Sequence, residues 1–207
     1  MEENATKILT EAKKTIPSVD ELIQETAKAL NLTDSYIKTN FGKALVSFDE
    51  KATQIFRSYE SNAMLELARS WVTVNKPRLG QEMKEILIFL DKEDWHTFVE
   101  KASRLFQEFA KLVQSFEKDL GNMRKARGGK VFEKAVLMML QRLGFRAEAP
   151  SKKHAEKLGR VDIIVPSAEE ALNYPDRAVF LTCKRTLRER WKQEIPQIER
   201  NCTAYLI

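Results

Sequence analysis

Two apolar runs joined by a polar connection constrain this chain more than any other feature of it. The first is Val161-Asp162-Ile163-Ile164-Val165-Pro166. Its β-branched residues favour a strand over a helix, and the proline ends the run. Val161, Ile163 and Val165 share one parity, so Asp162 and Ile164 are expected on the other face. The second run, Val179-Phe180-Leu181-Thr182-Cys183, is nearly all apolar, as in a strand covered on both sides. It ends at Lys184. Asn173, Pro175 and Asp176 between the runs favour turns. Pairing of the two strands would set Asp162 beside Lys184.

A carboxylate and a lysine side by side suit one kind of chemistry. Phosphodiester hydrolysis needs a positioned water, a metal ion and positive charge at phosphorus. A carboxylate can hold magnesium, which prefers oxygen ligands, and a bound ion polarises the phosphate and acidifies water. A lysine at a strand end can orient that water or neutralise the phosphate. On these residues alone a plainer reading stands beside it: two surface charges ending two ordinary strands.

The chain has 207 residues, 43% hydrophobic and 31% charged, which suits one medium domain or a core with an appendage. No long apolar run and no signal-like N-terminus is present, so no membrane partner is expected. The two cysteines, Cys183 and Cys202, suggest neither a disulfide framework nor a zinc site, and a cytoplasmic location is expected. Charge is unevenly placed. Residues 1–120 hold 17 basic and 20 acidic side chains, net −3, while residues 121–207 hold 18 and 10, net +8. The basic half is either a surface for phosphate backbones or an ordinary solvated face.

Residues 1–120 read as a helical region. Ser18 with Glu21, and Ser47 with Glu50, have the spacing of capping boxes. Apolar residues recur at helical spacing from Phe48 to Trp71, and Asn75-Lys76-Pro77 is expected to break that helix. Further periodic stretches contain Met83, Leu87 and Leu90, then Trp95 to Val113. Trp71 and Trp95 fall on apolar stripes and are read as packing residues. His96 is read as a surface residue. Gly121 and Gly128-Gly129 are expected to bound a basic linker, residues 122–127, that either follows nucleic acid through Arg127 or merely connects. Phe132, Val136, Met139, Leu140 and Leu143 then predict a helix capped by Gly144. Phe145 to Ala149 alternates weakly, as a first strand would. Residues 151–160 read as a basic loop whose Lys152, Lys153 and Lys157 either meet phosphates or are simply solvated; His154 carries little weight as a base.

Asp162, a gap, then Thr182-Cys183-Lys184 resembles the PD-(D/E)xK nuclease signature, in the variant where Ser or Thr precedes the lysine by two places. Lys184-Arg185-Thr186-Leu187-Arg188-Glu189-Arg190-Trp191 is similar to type II restriction endonucleases that cut before CCNGG, CCWGG or CCGG sites. The resemblance covers roughly Arg127 to the end. It implies an α/β fold: a restriction-endonuclease-like core with a central mixed sheet flanked by helices, occupying 121–207, after the helical N-terminal region 1–120. It also implies a magnesium-dependent enzyme hydrolysing double-stranded DNA at a short G/C-rich palindrome, leaving a 5′-phosphate and a 3′-hydroxyl. Catalysis would fall to Asp162, Lys184 and Glu133, with Asp162, Glu133 and the Cys183 carbonyl around the metal. Arg188, Glu189 and Arg190 would read bases from the helix after the lysine. Arginine can donate two bonds to guanine and glutamate can accept from cytosine. Arg127, Lys152, Lys153 and Lys157 would hold the backbone. A homodimer on a palindromic site and a cognate DNA methyltransferase as genetic partner are expected.

Two departures leave rivals open. The family's second metal-binding glutamate falls where this chain has Gln197, flanked by Glu194 and Glu199. The Cys202–Ile207 segment looks like the start of a strand, whereas related nucleases continue with another helix and strand, so the core is either cut short or compact. A weakened or inactive DNA-binding relative, and a repair or nicking nuclease, are the alternative readings.

Overall fold

The computed structural model describes residues 2–159, 161–184 and 203–206. In chain order these form α1 (Glu2–Lys13), α2 (Val19–Leu30), α3 (Asp34–Thr39), α4 (Phe41–Asp91), α5 (Trp95–Arg142), α6 (Lys152–Leu158), β1 (Ile163–Val165), α7 (Ala168–Asn173), a 3-10 turn at Pro175–Arg177, β2 (Val179–Thr182) and β3 (Thr203–Leu206). Helix dominates. The expected α/β class with a central mixed sheet flanked by helices is overturned: α4 and α5 run 51 and 48 residues, whereas the strands have 3, 4 and 4. Among the described residues the sheet is a small three-stranded element.

The helices outgrew their expected limits because burial on either side outweighs local breakers. Pro77 lies inside α4, not at its end. An internal proline costs a helix about 3 kcal/mol. Around it Leu67 and Leu79 are buried, and Arg78 makes a two-pronged hydrogen bond to Glu108 of α5 at 3.1 and 2.6 Å. The Asn75 side chain donates to the Trp71 carbonyl at 2.9 Å. Ser47 is likewise interior to α4. The expected linker 122–127 and its glycines are continuous helix within α5. Each interior glycine costs about 1 kcal/mol. Phe116 and Leu120 before them, and Val131, Ala135 and Val136 after them, are buried. Each large apolar side chain contributes roughly 1.5–3 kcal/mol on burial.

The chain divides into two compact units, residues 1–18 with 55–124 and residues 19–54 with 125–207. In the first, charged pairs join the long helices: Arg78 with Glu108, and Arg124 with Glu60. Lys13 of α1 meets Asp119 at 2.5 Å. Trp71 packs on Phe109 with ring centroids 5.0 Å apart, whereas Trp95 is 59% exposed and touches Phe98 edge-on. His96 is exposed.

In the second unit, α2 begins directly after Ser18, and its buried Thr26 hydroxyl donates to the Leu22 carbonyl. Lys134 pairs with Asp20, and Arg142 donates to Asp34 at 2.8 Å and to the Leu32 carbonyl at 2.6 Å. Gly144, at φ 88°, ends α5 as expected. Its N–H donates to Gln141 and that of Phe145 to Leu140, the paired bonds of a Schellman cap. Residues 145–149 make one bridge, Glu148 to Ile164, instead of a strand. Residues 152–158 are helix instead of loop, capped by the Ser151 hydroxyl accepting from the His154 N–H.

The sheet has order β1-β2-β3, with β1 antiparallel to β2 and β2 parallel to β3. Register pairs Ile163 with Leu181 and Val179 with Thr203. Consecutive residues Ile163 and Ile164 are both buried, so β1 is covered on both faces. Ile164 packs with Phe180, Leu158, Ala168, Ala171 and Ala178, and Val161 closes over that cluster.

The turn after α4 is also a Schellman cap, with Asp94 N–H donating to Phe89 and Glu93 N–H to Leu90. Here the left-handed residue is Glu93, at φ 59°. That conformation costs a residue with a Cβ roughly 1–2 kcal/mol, of which glycine returns part to its own flexibility. Glu93→Gly is therefore expected to raise the melting temperature modestly; an unchanged or lower midpoint would show that the turn is not strained by its side chain.

Candidate active site

The site begins with the end of the strand ladder. Asp162 stands one residue before β1, and its backbone N–H donates to the Leu181 carbonyl at 3.1 Å. The pairing therefore runs one residue beyond the strand and delivers the Asp162 side chain to the end of β2. There its Oδ2 accepts from the Cys183 N–H at 2.7 Å and from Lys184 Nζ at 3.3 Å. The backbone bond holds the carboxylate in place, and the lysine compensates its charge. Both side chains are partly covered, with 21% of Asp162 and 25% of Lys184 exposed, so solvent reaches the pair without flooding it.

Glu133 reaches the same place from α5. Burial holds its carboxyl above the ordinary carboxylate range, and the charge of Asp162 pushes it further the same way; Lys184 and Lys130 pull it back. The charge of Asp162 therefore acts on Glu133 in the same direction as burial. Gly129, one turn earlier, lies against this group: a Cβ there would sit 3.9 Å from Glu133 Oε1. Cys183 is buried, and its thiol is pushed up to about 12 by burial, then by Asp162 and Glu133, with Lys184 opposing. Without a metal it stays a thiol at neutral pH, and its carbonyl oxygen is the hard donor that suits magnesium.

A cleft of about 430 Å³ opens here. Its charged lining is Asp20, Lys130, Glu133, Lys134 and Asp162, with Val19, Leu137, Ala149 and Ile163 as apolar walls. Asp20, Lys130 and Lys134 were not among the residues expected from sequence. The available signal was helical spacing: Lys130 and Lys134 bracket Glu133 at three positions before and one after, and the first of these shares its face.

The other expected residues fall in different settings. Lys152, Lys153 and Lys157 are exposed on α6. Arg127 lies within α5 and is partly covered; burial lowers its pKa, with the Glu21 charge acting in the opposite sense. Arg188, Glu189, Arg190, Gln197 and their neighbours from 185 to 202 lie outside the described residues.

A magnesium ion fits what is present. Asp162 and Glu133 are hard oxygen donors whose mutual repulsion a cation would relieve, and magnesium is commonly held by one or two carboxylates with water and substrate phosphate completing the shell. Among the described residues, no group of three or more His, Cys, Asp and Glu side chains is placed to hold a metal without such help.

Residues 89–207 match the family model described as EcoRII C terminal. Two solved structures, metal-depleted Ecl18kI in complex with uncleaved, modified DNA and the same protein with uncleaved DNA, are each 17% identical to this chain, with TM-scores of 0.75 and 0.74. Each likeness covers 99% of this chain and 66% of the other, so this chain spans just under two thirds of their length. A restriction endonuclease PspGI–substrate DNA complex is 22% identical, with a TM-score of 0.59, over 94% of this chain and 69% of that one. These likenesses establish a shared fold. No curated protein matches the chain.

The raised Glu133 pKa has a consequence for stability. Because the fold favours the protonated carboxyl, this contribution is fully present below the ordinary value of 4.5 and is lost as pH rises through the higher folded value. In metal-free buffer, Glu133→Gln is expected to melt above the wild type at pH 7, with the gap narrowing toward pH 4. Thermal melts at the two pH values check this; a gap independent of pH would show that the carboxyl is unperturbed.

Proposed function

Because the chain belongs to the EcoRII C-terminal family, we propose that it is a type II restriction endonuclease that hydrolyses double-stranded DNA with magnesium. The observation that carries this reading is that Asp162, which Lys184 pairs with, lines one cleft together with Glu133. The fold shared with nucleases solved on DNA supports it.

In this reading residues 121–207 are the nuclease core and 1–120 the helical region before it. Asp162 and Glu133 hold the ion through carboxylate oxygens, with the Cys183 carbonyl as a further donor. What magnesium supplies there is polarisation of the phosphate and acidification of a water. Asp162 is pre-aimed by the Cys183 N–H, so little reorganisation precedes binding. Lys184 Nζ, already at the carboxylate, holds positive charge where the phosphate gains negative charge and orients the attacking water. Arg188, Glu189 and Arg190 read a G/C-rich palindrome, while Arg127, Lys152, Lys153 and Lys157 hold phosphates. Cleavage of both strands calls for two copies related by a two-fold axis. A cytoplasmic host would protect its own sites with a cognate methyltransferase. No helix among the described residues is long and apolar enough to cross a membrane.

Gln197, standing where the resembled family carries a metal-binding glutamate, favours one second reading, a DNA-binding relative with weak or no cleavage. A single assay separates the two. Purified protein with methylation-free DNA and magnesium should give discrete fragments, and Asp162→Asn or Lys184→Ala should abolish them while leaving DNA binding largely intact. Wild-type cleavage by either variant would remove these residues from the chemistry; binding without any cleavage by the parent protein would favour the second reading.

Base reading has its own signature. Each good bidentate base contact discriminates by about 1–3 kcal/mol. Arg188→Ala or Arg190→Ala should therefore lose preference for the G/C-rich site over a scrambled duplex. Lys152→Ala or Lys153→Ala should weaken both duplexes alike, because phosphate contacts carry no sequence information directly. Competition between the two duplexes measures this; equal weakening by the arginine variants would make those residues backbone anchors.

A further inference from the structure

The cleft holds two lysines that the catalytic reading does not use. Lys130 and Lys134 lie four residues apart on α5, so their Cβ atoms share a face roughly 5–6 Å apart. Both line the cleft with Glu133 and Asp162. Their situations differ. Lys134 is paired with Asp20 of α2, and both partners are well exposed, at 45% and 70% of their side chains. Lys130 is exposed and forms no ion pair with a described residue; its charge is felt by Glu133.

The balance of charge in the cleft poses a problem for a polyanionic ligand. Asp20, Glu133 and Asp162 present three carboxylates to an incoming strand. A cation bound by Glu133 and Asp162 offsets two of them, leaving Asp20. An exposed carboxylate held by a lysine is the group that a phosphate oxygen can replace with little loss, since exposed ion pairs contribute little. The exchange keeps Lys134 paired and moves Asp20 to water.

We propose that Lys130 and Lys134 form a phosphate-binding subsite for the DNA strand next to the reacting phosphodiester, and that Asp20 occupies Lys134 until a strand phosphate takes its place. The subsite rests on the endonuclease reading above, and its ligand is a backbone phosphate of nucleic acid, bound without regard to base sequence. Lys130 accepts the strand first, and Lys134 closes on the neighbouring phosphate once Asp20 gives way. Asp20 thereby weakens binding of DNA that does not seat fully in the cleft.

The test is binding of a fluorescent duplex by anisotropy in EDTA, with salt titrated, so that cleavage plays no part. Each phosphate contact contributes about 0.9 to the slope of log affinity against log salt. Lys130→Ala is expected to bind several-fold more weakly and to lower the slope by about one contact, while Lys130→Arg keeps the slope. Asp20→Asn is expected to bind several-fold more tightly, and the double variant Asp20→Asn with Lys134→Ala to lose that gain. Far-ultraviolet circular dichroism checks that each variant is folded. A slope unchanged in Lys130→Ala, or a gain from Asp20→Asn that survives without Lys134, overturns the subsite while leaving the endonuclease reading standing. Failure of the wild type to bind duplex DNA at all, in EDTA and with calcium alike, overturns both.

Discussion

The candidate site depends on the antiparallel pairing of β1 with β2. Ile163 opposite Leu181 sets the register, and the next residue, Asp162, continues the ladder in two ways. Its N–H donates to Leu181, and its carboxylate accepts from the Cys183 N–H where a strand acceptor would otherwise stand. A covered backbone donor needs a partner, and here a charged side chain provides it. The bond satisfies the end of the strand and aims the carboxylate at Lys184 in one step. A register slip of one residue would turn every side chain to the opposite face and separate the pair.

Glu133 is delivered differently, by the rigidity of a long helix. The last part of α5 is anchored by its Schellman cap at Gly144 and by Arg142 on Asp34 and Leu32. With that end fixed, helical geometry places Lys130, Glu133, Lys134 and Leu137 along one side of the cleft. The cost is electrostatic: burial, and then the charge of Asp162, raise the Glu133 carboxyl above the ordinary carboxylate range. Such tension is commonly found where a cation or an anionic substrate is to be bound. Cys183 shows the same field, since burial and the two acids keep its thiol from ionising.

Much of this is legible in the sequence. The β-branched run at Val161 and the apolar run at Val179 became β1 and β2 because their composition admits little else. Gly144 capped its helix because the left-handed position excludes most side chains. Trp71 packs on an aromatic neighbour, as its apolar stripe implied, whereas Trp95 on a similar stripe remains largely exposed. The errors share one cause. Pro77, the glycines at 121, 128 and 129, and the Ser47–Glu50 spacing are local signals for a break or a start. Each lost to buried residues on both sides that favour continued helix. The loop at 151–160 failed in the opposite direction: a serine hydroxyl cap and the burial of Leu158 sufficed for a short helix. The α/β class failed with them, because the helices lengthened while the strands stayed short.

The sequence by itself determined which residues could do chemistry. An acid before one strand and a lysine after another are set by the order of residues, and their pairing follows from the pattern of apolar runs. Only the tertiary structure decided what meets them. Asp20 and Lys134 are far apart in the chain and carry no motif, and nothing in local spacing brings α2 to the flank of α5. That adjacency is a global condition that no short window of sequence contains. The same holds for the Glu133 pKa. Its residue type is written in the chain, but its charge state depends on how much water the fold removes and on which other carboxylate the fold places nearby.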